Sequence, residues 1–238
     1  MTPLRTSILV GAVALVATGS VQAQTLKASH QWPGGKGDVR DEMVQILAKE
    51  VEKADVGLKI HVYPGASLYK PKEQWGALTK GLLDISAFPL DYASGRHPEF
   101  SATLMPGLVR NHDRANRLNN SAFMQDIKKS INDAGVVVLA DAWLAGAFAS
   151  KTNCITSPDT VKGQVTRAAG PAFEEMLAGA GASLSSMPSS EIYTAMQTGV
   201  LMPPTPAPEA SSRTVFTSRS NVSLLPAKTP CGSCTSQS

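Results

Sequence analysis

A chain of 238 residues can hold one large domain or two small ones, and 42% hydrophobic with 17% charged residues is ordinary for a soluble globular protein. A net charge of +3 calls for no polyanionic partner, and no Lys/Arg cluster with interleaved aromatics occurs, so nucleic acid is not an expected ligand. Three cysteines, Cys154, Cys231 and Cys234, are too few and too uneven for a disulfide framework.

The first element in chain order is a leader. Arg5 supplies a positive start, residues 8–16 form a short apolar run, and Val21-Gln22-Ala23 fits the small-residue cleavage rule. The apolar run is too short to cross a bilayer, so residues 1–23 are expected to be a secretory signal peptide. No cysteine stands at the cleavage point to carry a lipid.

From Gln24 onward short apolar strands alternate with amphipathic helices. Residues 26–30 read as a strand, closed by Trp32-Pro33-Gly34-Gly35. Met43, Ile46, Leu47 and Val51 recur at helical spacing. Residues 58–63 alternate as a strand and stop at Pro64-Gly65, and Pro71 opens a helix whose expected buried face is Trp75, Leu78 and Leu82. Residues 85–90 read as the next buried strand. A β-α-β-α-β run of this kind predicts an α/β lobe with a mostly parallel sheet.

Residues 100–132 are expected to be mostly helical. The β-branched run at 136–140 predicts a strand covered on both faces. A second α/β set begins near Trp143, with a brief strand at 164–167 and a helix marked by Phe173, Met176 and Leu177. Ser189 can cap the helix after it, whose expected buried face is Ile192, Ala195, Met196 and Val200. After Leu201 the pattern stops. Ser, Thr and Pro make up about half of residues 202–238, the composition of a disordered tail.

One stretch carries a more specific signal. Lys162-Gly163-Gln164-Val165-Thr166-Arg167 is followed by Gly181-Ala182-Ser183, then by Met187-Pro188-Ser189-Ser190-Glu191-Ile192-Tyr193-Thr194-Ala195-Met196-Gln197-Thr198-Gly199-Val200. This resembles the second lobe of the solute-binding proteins of TRAP transporters, DctP type, in which a K-G-x-x-x-R strand precedes such a helix. Tyr63-Pro64-Gly65-Ala66-Ser67-Leu68 and Gly81-Leu82-Leu83-Asp84 resemble first-lobe segments of the same family. The resemblance covers residues from about 25 to 201.

The resemblance implies an α/β, two-lobed periplasmic solute-binding protein (type II-like) that hands a small organic acid to TRAP membrane permease subunits. It implies no enzymatic step and no cofactor. By that resemblance Arg167 pairs with the ligand carboxylate, a role suited to a planar guanidinium that donates two parallel hydrogen bonds. Trp143 stands where the family presents a pocket aromatic. Phe88 and Asp91 match a pocket-lining segment. His30 ends the first strand, where ligands gather in α/β sheets, though it could equally be a satisfied structural histidine. Asn153 departs from the pattern: many members carry an arginine there, and an amide supplies hydrogen bonds without charge, which leaves a monocarboxylate open.

The resemblance also predicts the organisation: a first lobe over 24–142, a partial second lobe over 143–201, and a foreign tail over 202–238. Second lobe and crossover are thus expected to be incomplete. The family continues past this point with an Asp, a pocket Asn and elements that complete both lobes. If one G is restored after the Leu201 codon, the shifted frame permits an Asp at the next position and an Asn three further on. Cys231-Gly-Ser-Cys234 would then be an accident of frame. The alternative class is an exported thiol-dependent enzyme using Cys154 or the Cys231/Cys234 pair. No G-x-S-x-G or H-E-x-x-H motif supports an enzyme, and Gly34-Gly35-Lys36-Gly37 lacks the spacing of a phosphate loop.

Overall fold

The computed structural model describes residues 23–35, 37–144, 146–150 and 155–201, and the backbone alone of 214–218. Residues 1–22 of the leader, Asn153 and all three cysteines lie outside these residues. The first lobe is built on β1 (Gln24–His30), central in a parallel sheet between β2 (Leu58–Tyr63) and β3 (Ile85–Ala87). The β1–β2 crossover is α1 (Val39–Lys53), capped by Asp38, whose side chain accepts from the Arg40 N–H. The β2–β3 crossover is α2 (Pro71–Thr79), with Pro71 where a missing N–H costs nothing and Glu73 accepting from the Lys70 N–H.

Two 3₁₀ turns, Leu90–Ala93 and Pro98–Leu104, lead from β3 to α3 (His112–Asn119) and α4 (Ala122–Asp133). Trp75, Ala93, Phe100, Ile127 and Ile131 form the main core of this lobe. Phe100 meets the Trp75 ring edge-on at 5.4 Å, the geometry that aromatic quadrupoles favour.

In the second lobe β4 (Gly146–Ser150) precedes the parallel pair β5 (Val165–Thr166) and β6 (Ser183–Leu184). The crossover between that pair is α5 (Pro171–Gly179), and α6 (Ile192–Thr198) follows, ended by Gly199 in the left-handed conformation. Val161, Ala168, Phe173 and Leu177 form one core cluster here, and Ile192, Ala195 and Leu201 another.

Several expectations are corrected. The strand expected over 85–90 ends at Ala87, because Pro89 cannot donate to a ladder and Leu90 opens a 3₁₀ turn. Residues 136–140 carry no ladder at all, and Val137 and Leu139 are 73% and 69% exposed. Val136 and Val138 pack on the Trp75–Phe100 core, but a β-branched run becomes a strand covered on both faces only where neighbouring strands and a second layer exist, and the described residues provide no ladder partner here. On α1, Met43 and Ile46 are exposed while Val44 is buried; on α2, Leu82 lies beyond the helix, exposed, and Leu83 is buried instead. Leu201, not Val200, completes the buried face behind α6. Ser189 caps no helix: its hydroxyl goes to the Gln31 carbonyl. The tail is not featureless either, since β7 (Thr214–Ser218) pairs antiparallel with β4. Thr, Val and Phe in alternation have the propensity for such a strand, and β4 has an open edge to receive it.

Candidate functional site

Arg167 follows β5 directly and is 1% exposed. Its Nε donates to the Met187 carbonyl at 3.0 Å, and its Nη2 donates to Gln31 Oε1 and to Tyr92 Oη, each at 3.0 Å. Tyr92 Oη in turn donates to Gln31 Oε1 at 3.2 Å, and the Ser189 N–H reaches the same oxygen at 3.3 Å. Burial pulls the Arg167 guanidinium below its ordinary range, which the Tyr92 oxygen partly offsets; it nevertheless stays charged, as an arginine does in any protein. Burial likewise raises the Tyr92 hydroxyl, against the pull of Arg167 and Gln31. Among the described residues Arg167 makes no ion pair. A buried charge held only by neutral acceptors is expensive unless an anion joins it.

His30 is fully buried one residue before Gln31. Its Nδ1 accepts from the Trp32 N–H at 3.3 Å, so Nε2 carries the proton and donates to Asp41 Oδ1 at 3.0 Å. Asp41 also accepts from the Gly35 N–H, so His30 ties the loop after β1 to α1. Trp32 stacks on the His30 ring at 5.4 Å, and the Arg40 guanidinium, paired with Asp38, lies over the Trp32 ring at 5.6 Å.

A cavity of about 1300 Å³ is lined in part by Trp32, Met43, Phe88, Val137, Leu139 and Trp143, and none of Gln31, Tyr92, Arg167 and Ser189 lines it. Phe88 and Trp143 are half-buried there, and Trp143 Nε1 donates to Asn119 Oδ1 at 2.6 Å. Asp91 does not reach the cavity. It is wholly buried and accepts from Ser101 Oγ at 2.6 Å and from the Ala172 N–H at 2.9 Å, at the start of α5. Of the residues expected to form a pocket, Phe88 and Trp143 therefore share the cavity, while Arg167, His30 and Asp91 are buried and do not line it. Asn153 is outside the described residues.

Gln31 and Tyr92 were not legible as site residues. The rule that singled out His30, that ligands gather at the C-terminal ends of parallel strands, extends to both, since Gln31 follows β1 and Tyr92 lies just past β3. No cluster of three or more potential metal ligands occurs among the described residues, and no described helix is long and apolar enough to cross a membrane.

A parallel first lobe, a smaller α/β set after it and a buried arginine joining them match the two-lobed α/β fold of solute-binding proteins. The chain belongs to the DctP family, bacterial extracellular solute-binding protein family 7, whose pattern matches residues 28–201. It is similar to a solute-binding protein of Albidiferax ferrireducens, 39% identical over 184 residues that make up 76% of this chain and 54% of that protein. The sialic acid-binding periplasmic protein SiaP of Vibrio cholerae is 28% identical over 200 residues, 82% of this chain and 61% of the relative. A crystal structure of a TRAP periplasmic solute-binding protein from Rhodoferax ferrireducens with bound malonate superposes with a TM-score of 0.69 at 37% identity, covering 81% of this chain and 59% of that one. The chain thus spans between half and two thirds of the length of these relatives.

Proposed function

We propose that this chain derives from the periplasmic receptor of a TRAP transporter, which captures a small carboxylate and delivers it to membrane permease subunits without making or breaking a bond. The observation that carries the reading is Arg167: a guanidinium 1% exposed, with no carboxylate partner among the described residues, at a junction of the two lobes. An anionic ligand supplies the charge that the neutral acceptors do not. Residues 1–23 act as the export signal in this reading. The relative solved with malonate makes that diacid the first probe. Asn153, uncharged where many members carry arginine, makes a monocarboxylate the second.

The reading includes a slip of frame after Leu201, the residue at which the family match stops. The test is a chain with one base restored after the Leu201 codon, titrated calorimetrically with malonate and with acetate. Arg167→Ala is expected to remove the binding. Unchanged affinity in that variant would sink the carboxylate-anchor role, and a thiol-blocking reagent that abolished binding would favour a cysteine-based function instead.

A further inference from the structure

The Gln31 side chain holds an unusual position. Three donors converge on its one amide oxygen: Arg167 Nη2 at 3.0 Å, Tyr92 Oη at 3.2 Å and the Ser189 N–H at 3.3 Å. Two of these can only donate, so the atom at that place must be the oxygen and not the nitrogen of the amide. The other half of the side chain is idle, because Gln31 Nε2 makes no hydrogen bond among the described residues. Arg167 Nη1 makes none there either. Neither nitrogen is sealed off, since among the described residues Ser29 Oγ is the buried side-chain atom without a partner, so this end of the network is accessible to a ligand oxygen.

The backbone around this amide joins the lobes. Ser189 Oγ donates to the Gln31 carbonyl at 3.2 Å, and the Ser190 N–H reaches the same oxygen at 3.3 Å. Ser190 Oγ donates to the Gly65 carbonyl, also at 3.3 Å. The donors that meet at Gln31 Oε1 come from both lobes, Tyr92 from the first, Arg167 and Ser189 from the second.

From this arrangement we infer that Gln31 is a built-in stand-in for the ligand's carboxylate: its amide oxygen occupies the anion position formed by Arg167, Tyr92 and Ser189, and a bound carboxylate displaces it. The inference rests on the reading of Arg167 as a carboxylate anchor and adds the rest of the donor set and the group that guards it. Tyr92 Oη and the Ser189 N–H become ligand contacts. Gln31 becomes a specificity-determining residue, because an amide is planar like a carboxylate and unlike a phosphate. A planar acid that fills the vacated place satisfies the same three donors and adds the charge that the amide lacks.

The experiment uses the 238-residue chain and needs no transported solute. Gln31→Glu puts a carboxylate on the same stem. It is expected to raise the thermal midpoint at neutral pH by on the order of 5 °C, and to lose that gain when acid protonates the new carboxyl. Gln31→Ala vacates the position. Its lowered midpoint is expected to be restored by acetate and not by phosphate at matched ionic strength, while the unaltered chain, in which acetate must first displace the amide, responds to acetate more weakly and to phosphate not at all. A lower midpoint for Q31E at neutral pH, as expected of an ordinary buried amide made acidic, overturns the inference, and so does rescue of Q31A by phosphate alone. Should Q31A fail to fold, the pH-dependence of Q31E alone decides. A stabilised Q31E beside a frame-restored chain that binds no external acid would uphold the donor set and reject the transport reading.

Discussion

His30 and Gln31 are adjacent, yet the backbone at the end of β1 sends their side chains to different partners: His30 to Asp41 on α1, Gln31 to Arg167 and Tyr92. A sequence shows both residues at a strand end, where function is expected, but not which one faces the neighbouring lobe. His30 then makes a prediction of its own. Burial, outweighing the attraction of Asp41 and of the more distant Asp38, holds its imidazole below the ordinary histidine range, with Arg40 pushing the same way as burial. As pH falls below about 6.5 the unfolded chain takes up a proton before the folded one does. The stability tied to His30 is therefore complete above that pH and is lost as pH falls toward the folded-state value. The urea midpoint is expected to drop from about pH 7 to about pH 5, and His30→Gln to flatten that slope. An identical slope in the variant would show that other groups cause the acid sensitivity.

At the scale of elements, what the sequence made legible was local. The existence of α1, Pro71 at the start of α2, and Phe173 and Leu177 in α5 depend on neighbours three or four positions away, although the stripe read on α1 missed Val44, the residue that is buried there. The run at 136–140 failed as a strand because a ladder needs a partner that no local pattern supplies. The joint between elements was illegible for a similar reason. Asp91, 81 positions before Ala172, accepts its N–H and so fixes the first turn of α5 against the first lobe. Gly170, with φ at 117°, lets the backbone pass close by: a Cβ there would press on Asp91 Oδ2 and stand 2.8 Å from its Cγ. Gly170→Ala is accordingly expected to cost about 2–5 kcal/mol through strain and overpacking, seen as a lower denaturant midpoint. A midpoint within error of the parent would mean that this joint yields freely.

For the molecule as a whole, the contacts between lobes are made while one side stays open. Besides the Gln31 network, Lys72 Nζ meets Glu174 Oε1 at 3.0 Å across the lobes, an exposed pair that contributes little. Among the described residues β3 ends its sheet without a further partner, and the cavity of about 1300 Å³ is lined in part by Val137 and Leu139, both exposed. Such a face favours association and leaves a ligand without a closing wall. The affinity follows from magnitudes. Two charge-assisted hydrogen bonds from Arg167 supply about 3–6 kcal/mol, whereas micromolar binding needs about 8 kcal/mol. The difference has to come from surface that encloses the ligand, and the large cavity, which Arg167 does not line, does not provide it. Calorimetry on the 238-residue chain is therefore expected to show carboxylate binding weaker than micromolar, or none, together with strong fluorescence of a hydrophobic dye. The frame-restored chain should bind more tightly and quench the dye signal, since the same added residues would wall the ligand and cover Val137 and Leu139. Micromolar binding by the chain as it stands would refute this account, because the enclosing contacts would then already exist within residues 24–201.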